Sequence, residues 1–181
     1  MSPPLRSESR REALFERVRD GTVDVVATDH APHTVAEKEA SLTEAPSGVP
    51  GVETMVPLLL GQVATGRLSL SRVRDLVAAN PARIFGLPEK GSVEPGADAD
   101  LVFVDLDATE SVRADRLHTA CGWTPFEGKT AVFPELTLVR GEPVYDPHGT
   151  TSENGVEASD AASVDSVDDP FGDPVGRNVR R

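Results

Sequence analysis

One hundred and eighty-one residues, 38% of them hydrophobic, with 30 acidic against 18 basic side chains, allow one ordinary domain or one domain and a tail. The longest apolar runs, such as Met55-Val56-Pro57-Leu58-Leu59-Leu60, fall far below the ~20 residues that span a bilayer, and the single cysteine, Cys121, has no partner for a disulfide within the chain. A complete (β/α)8 barrel, at about 250 residues, is excluded by length, and the net charge of −12 argues against nucleic acid, which demands a clustered Lys/Arg face.

The basic residues are three lysines (Lys38, Lys90, Lys129) against 15 arginines. An acidic, lysine-poor surface fits a protein kept soluble by carboxylates in high salt. The alternative is an acidic tail: residues 146–181 alone contribute −5 of the −12. No basic stretch followed by an apolar one opens the chain, so nothing directs export and the cytoplasm is the expected location.

In chain order, Ser9-Arg10-Arg11-Glu12 reads as a capping box for a helix over 10–20, with Leu14 and Val18 on one face and Gly21 as its stop. Residues 23–28, rich in valine, read as a buried strand. It ends in Asp29-His30-Ala31-Pro32-His33, where the proline breaks the ladder. The loop Pro46-Ser47-Gly48-Val49-Pro50-Gly51 leads into a helix over 52–65 closed by Gly66. Ser69 caps a second helix through Ala79, which the Asn80-Pro81 step ends. From Gly91 the pattern becomes a small β module, with strands over 101–104, 136–139 and 143–145 and a hairpin turn at Gly141-Glu142. After Asp146 the composition turns to Ser, Asp, Gly, Glu and Pro, too polar to offset the entropy of ordering, so 147–181 is expected to be a disordered acidic tail.

The densest chemical cluster is residues 29–33. In α/β proteins functional groups gather at the carboxyl ends of strands, and a carboxylate there can bind a divalent metal and take a proton from water. The competing reading is an aspartate that caps a turn beside two surface histidines. Ser47, Gly48 and Gly51 could bring backbone N–H groups close to a carboxylate or carbonyl, or simply turn the chain. Cys121, with no metal spacing around it, reads as a structural thiol; His118 and His148 read as solvated, and Asn80 as a helix C-terminal residue.

Taken together, several segments resemble the dihydroorotases of the amidohydrolase superfamily. They are residues 2–8 (Ser-Pro-Pro-Leu-Arg-Ser-Glu), 27–33 (Ala-Thr-Asp-His-Ala-Pro-His), 48–54 (Gly-Val-Pro-Gly-Val-Glu-Thr) and 80–87 (Asn-Pro-Ala-Arg-Ile-Phe-Gly-Leu). Residues 90–93, 96–101 and 122–128 (Gly-Trp-Thr-Pro-Phe-Glu-Gly) continue the match to about residue 146. The Asp-His-Ala-Pro-His form is closer to dihydroorotases than to allantoinases or hydantoinases, which remain the alternative beside a non-catalytic fragment or interaction module.

The resemblance implies reversible cyclic-amide hydrolysis, dihydroorotate to N-carbamoyl-aspartate, with ring closure as the direction used in pyrimidine synthesis. It implies one or two zinc ions in the complete enzyme, Asp29 as metal ligand and proton carrier, His33 on the substrate carboxylate, and the backbone at Ser47 and Gly48 against the ring. Ser2 stands where many members carry a substrate-contacting asparagine; its hydroxyl has a shorter reach. A small-molecule substrate is implied, with no nucleic acid and no membrane.

The family's His-x-His pair and further metal histidines have no counterpart among His30, His33, His118 and His148. Residues 23–28 would be the eighth strand of a barrel whose first seven this chain lacks, and Met1 would be an internal methionine. The expected architecture is therefore α/β: 1–88 the carboxyl-terminal end of a metal-dependent-hydrolase barrel, 89–146 part of a small β-sandwich domain, and 147–181 the tail. Alone, such a chain is expected to be incomplete and inactive, completed by a separate amino-terminal polypeptide or placed in a homo-oligomer. It is also expected to associate or fold poorly, because helices 10–20 and 52–65 would lie bare.

Overall fold

The computed structural model describes residues 4–149, 151–152, 155–156, 170–171 and 175. The chain divides into two compact units, Met1–Asn80 with Leu106–Phe133, and Pro81–Asp105 with Pro134–Arg181.

In the first unit, α1 (Glu8–Arg19) starts earlier than expected, and the Ser9–Glu12 capping box does not form. Both residues already lie inside the helix, and the Glu12 carboxylate accepts from Arg67 Nη2 at 2.6 and 2.8 Å. Arg67 also sits 4.3 Å from the Phe15 ring centroid. The helix stops before Gly21, whose φ of +91° supplies the left-handed turn predicted there. A capping box does form one element later, on α2 (Val35–Lys38). Thr34 Oγ1 accepts from Glu37 N–H, and the Glu37 carboxylate accepts from Thr34 N–H at 2.7 Å. Donation from the Thr34 hydroxyl and N–H holds the Glu37 carboxyl below the ordinary carboxylate range.

Residues 23–28 are not the buried strand expected. A ladder needs a hydrogen-bonded neighbour, and among the described residues no strand pairs with this segment. Helical groups hold its backbone instead. Val26 N–H donates to Leu76 O at 3.3 Å, Val23 O accepts from Arg72 Nη2, and Asp24 O accepts from Asn80 Nδ2 at 2.9 Å.

The helix supplying those groups also departs from expectation. Ser69 caps α4 (Leu70–Arg74) as predicted, accepting from Arg72 N–H at 3.1 Å. The Asn80-Pro81 step, however, does not end the helix. The helix widens into a π turn (Asp75–Ala79), in which Asn80 N–H reaches Asp75 O, and continues as α5 (Asn80–Phe85). Proline lacks an N–H and crowds the carbonyl four residues back; the wider turn accommodates both defects. Asn80 is thereby placed inside the helix, where its amide can clip Asp24.

The helix expected over 52–65 is α3 (Val52–Ala64). Its face is not bare: Thr54, Pro57, Leu60 and Gly61 are buried. The helix packs on β3 (Thr130–Ala131), which pairs antiparallel with β2 (Glu110–Ser111). Val132 N–H donates to Pro57 O at 3.0 Å, and a Cβ on Gly61 would lie 2.5 Å from Thr130 O, so only glycine allows this approach. Leu76, Val112 and Val132 are fully buried in this unit. By contrast α1 buries no residue, and Leu14 is 60% exposed.

The second unit contains an antiparallel sheet of order β1 (Leu101–Phe103), β4 (Leu136–Val139), β5 (Glu142–Tyr145), close to the predicted strands. Its hairpin turn is Arg140-Gly141, one residue earlier than expected, with φ +52° and +84°, the two positive values a type I′ turn requires. β6 (Thr151–Ser152) pairs with β7 (Gly155–Val156), and the Tyr145 and Phe171 ring centroids lie 5.4 Å apart. Apart from residues 147–149, 170 and 175, the rest of the expected tail lies outside the described residues, as does Ser2.

Lys90 is clamped between two carboxylates, 2.8 Å from Asp98 Oδ2 and in contact with Asp100. Hydrogen bonding to Asp100 and Asp98 raises the Lys90 pKa above its ordinary 10.5. Burial pushes the Asp100 carboxyl up, but donation from Lys90 and from Arg140 N–H, with the charges of both cations, brings it below 3.8. The stabilisation from Lys90 is complete below pH 10.5 and is lost as pH rises through its raised value; that from Asp100 is complete above pH 3.8 and is lost as pH falls through its lowered value. Urea titrations across pH should therefore separate the parent from Lys90→Met within that window and bring the two together beyond it at either end. Equal spacing at every pH would remove the ion cluster as the cause.

Candidate active site

The site grows from the end of the 23–28 segment. Asp29 is exposed and left-handed, at φ +46°, a conformation that aspartate tolerates better than most residues but that still stores strain. His30 N–H donates to Thr28 Oγ1 at 3.1 Å, which fixes the chain on both sides of Asp29.

The 46–51 loop folds onto this turn. Ala31 N–H donates to Val49 O at 3.1 Å. Gly48, at φ +110°, lies so close that a Cβ there would be 2.4 Å from Ala31 Cβ. His33 Nε2 is 3.1 Å from Ser47 O, so two of the sequence-predicted site residues meet directly, while Gly48 packs against Ala31. Ser2, the remaining candidate, lies outside the described residues.

His30, read from the sequence only as part of the 29–33 cluster or as a surface histidine, has a definite task. Gly51 offers no side chain to cap α3, and His30 Nδ1 accepts from both Gly51 N–H (3.0 Å) and Val52 N–H (3.1 Å). Nδ1 is therefore unprotonated in this arrangement, with the ring proton on Nε2. His30→Leu should lose about 0.5–2 kcal/mol of stability in urea titration, as for a lost N-cap, whereas His30→Asn, whose Oδ1 can accept in the same place, should lose less than half of that. Equal losses in the two variants would show that packing, not the acceptor, matters.

Three further side chains brace the site. Lys38 Nζ donates to Pro46 O at 2.8 Å and to Gly48 O at 2.7 Å. Trp123 Nε1–H donates to His33 O at 2.7 Å. The Glu53 carboxylate accepts from His118 N–H at 3.0 Å and lies 2.6 Å from its Nδ1, so His118 is engaged rather than simply solvated. Cys121 Sγ lies 3.5 Å from Trp123 O, in keeping with a structural thiol. The Thr34-x-x-Glu37 spacing could have shown the α2 cap; nothing in the sequence pattern marks Lys38 or Trp123 as neighbours of the loop.

As a metal centre the arrangement is incomplete. Among the described residues no three His, Cys, Asp or Glu side chains converge to hold an ion. Asp29 is one available ligand, while His30 Nδ1 and His33 Nε2 face protein partners. These residues do not fit a catalytic zinc site, which takes about three protein ligands and leaves one position open. What they do present is an exposed carboxylate beside a histidine and a glycine-containing loop. Among the described residues no helix is long and apolar enough to cross a membrane.

The model of the amidohydrolase family matches residues 2–144. The dihydroorotase of Halobacterium salinarum is 60% identical over 155 residues, covering 86% of this chain and 37% of that protein. The dihydroorotase of Methanosarcina acetivorans is 51% identical over 147 residues, covering 80% and 32%. Among solved structures, the L-hydantoinase (dihydropyrimidinase) of Arthrobacter aurescens superposes with a TM-score of 0.75 at 36% identity, over 81% of this chain and 34% of that one. A D-hydantoinase (dihydropyrimidinase) from Thermus sp. gives 0.76 at 33% identity, over 81% and 33%. The chain thus spans about a third of the length of the curated relatives it matches.

Proposed function

The chain belongs to the amidohydrolase family, and from that premise we propose that it is the carboxyl-terminal part of a dihydroorotase-type cyclic amide hydrolase. The carrying observation is the Asp29–His33 turn with the 46–51 loop seated on it, in a chain 60% identical to a dihydroorotase. Residues 1–88 would be the end of a (β/α)8 barrel, 89–146 part of a small β domain, and 147–181 an acidic tail; the cytoplasm is the proposed location.

The reaction is the reversible opening of dihydroorotate to N-carbamoyl-aspartate. Water adds to the ring carbonyl, the C–N bond breaks, and the ring nitrogen gains a proton. Asp29 is the group that takes the proton from the attacking water and returns it to that nitrogen, a shuttle suited to an exposed carboxylate free of internal ion pairs among the described residues. His33, braced through its own carbonyl by Trp123, holds the substrate carboxylate, and the backbone at Ser47 and Gly48 faces the ring. Members of this family are generally metal-dependent. We assign zinc, one or two ions, to the complete enzyme, with its remaining ligands supplied from outside this chain, by an amino-terminal polypeptide or by a partner copy.

A hydantoinase reading rests on the solved structures, whose identities of 33–36% are well below those to the dihydroorotases, and an allantoinase reading has no such support. A substrate panel on the chain combined with the unmatched portion of the Halobacterium salinarum relative separates the two: dihydroorotate should be opened in preference to hydantoins and allantoin. Preference for a hydantoin would overturn the assignment.

A further inference from the structure

Lys38 plays no part in the chemistry above, yet its side chain holds the substrate loop at two points. Its ammonium donates to the carbonyls on either side of Ser47, Pro46 O at 2.8 Å and Gly48 O at 2.7 Å. The same ammonium lies 6.0 Å from the Trp123 ring centroid, within cation–π range. Trp123 in turn donates from Nε1 to His33 O at 2.7 Å, and His33 Nε2 faces Ser47 O at 3.1 Å. One cation and one indole therefore brace both halves of the proposed substrate-carboxylate site.

Physical chemistry favours a positioning device over a lysine folded onto the surface by chance. Hydrogen bonds from an ammonium to carbonyls are stronger than neutral ones. Two of them, to carbonyls two residues apart, fix the peptide between. With those carbonyls drawn towards Lys38, the Ser47 carbonyl is left to face His33. The loop has little to hold it on its own, since it contains two prolines and two glycines and, among the described residues, belongs to no strand pair.

We propose that Lys38, acting with Trp123, is a positioning residue that sets the 46–48 backbone and His33 in the relation needed to grip the substrate carboxylate. The grip itself rests on the proposed function; the brace does not. Trp123 is the only tryptophan, so its emission reports on this site alone.

The test compares the parent chain with Lys38→Met, Lys38→Gln and Lys38→Arg at sub-micromolar concentration, first without ligand. In Lys38→Met and Lys38→Gln, hydrogen exchange at Ala31 and Gly51 should quicken by about tenfold or more and Trp123 emission should shift to the red, while α1 exchange stays unchanged. Lys38→Arg, which keeps a cation able to reach two carbonyls, should stay near the parent. Exchange and emission equal to the parent's in both neutral variants would overturn the brace. Titration with N-carbamoyl-aspartate, followed by the same emission, forms the second arm. Binding by the parent that weakens about tenfold in Lys38→Gln supports the proposal, and equal binding overturns it. A parent that ignores the ligand while the first arm behaves as expected counts against the substrate reading and leaves the brace supported.

Discussion

Gly48→Ala should destabilise the chain by about 2–5 kcal/mol and disorder the substrate loop with it. Two independent penalties act at this position. The φ of +110° lies where an L side chain is strained, at about 1–3 kcal/mol. The new methyl would also lie 2.4 Å from Ala31 Cβ and 3.1 Å from Ala31 O, so either the loop or the Asp29 turn must move, for a similar cost. Movement breaks the Ala31–Val49 backbone hydrogen bond and carries Ser47 away from His33. Thermal unfolding followed by near-ultraviolet dichroism should show a midpoint lowered by roughly 5–15 °C. Gly51→Ala is the control: its φ is −154° and its Cβ would meet Thr28 Cβ at an ordinary 3.4 Å. A Gly48→Ala midpoint no lower than that of Gly51→Ala would show that the loop is not seated as described.

The isolated 181-residue chain should retain less than one zinc per molecule through gel filtration and should not open dihydroorotate. Stable zinc binding takes about three protein ligands, and among the described residues Asp29 is the one the site offers uncommitted. To recruit His30, the N–H groups of Gly51 and Val52 would have to give up their acceptor at the start of α3, leaving helix donors exposed to the penalty of an uncapped end. His33 faces Ser47 O through Nε2, the atom a substrate carboxylate would claim. Metal analysis of the eluted protein, paired with a turnover assay in added zinc, reads both expectations. One zinc per chain together with turnover would contradict them.

Much of this arrangement was legible before the fold. The Val52–Ala64 helix, the Ser69 cap and the β1, β4 and β5 strands follow from local signals such as capping residues, apolar periodicity and β-branched runs. The turn after the valine-rich run was legible from its proline, though the strand it was expected to end does not form. Failures came where a distant partner decides the outcome. Residues 23–28 have strand composition but no neighbour, so Arg72, Asn80 and Leu76 hold them instead. Asn80-Pro81 has the composition of a helix stop, yet a π turn absorbs the proline. Ser9-x-x-Glu12 and Thr34-x-x-Glu37 carry the same capping signal, and only the second forms, because α1 already starts at Glu8 and leaves Ser9 inside the helix. Lys38 and Trp123 lie 85 positions apart in sequence, a separation that no local pattern bridges.

The most direct measurement is dihydroorotate turnover after mixing this chain with the portion of the Halobacterium salinarum dihydroorotase that it does not match, with zinc present. Neither polypeptide should be active alone. The mixture should turn over dihydroorotate with parent Asp29, and Asp29→Asn should reduce that turnover by roughly a hundredfold or more, the scale of a lost general base. No turnover in the mixture, or turnover that survives Asp29→Asn, would contradict the assignment of this chain as the proton-carrying, carboxylate-binding part of a dihydroorotase-type site.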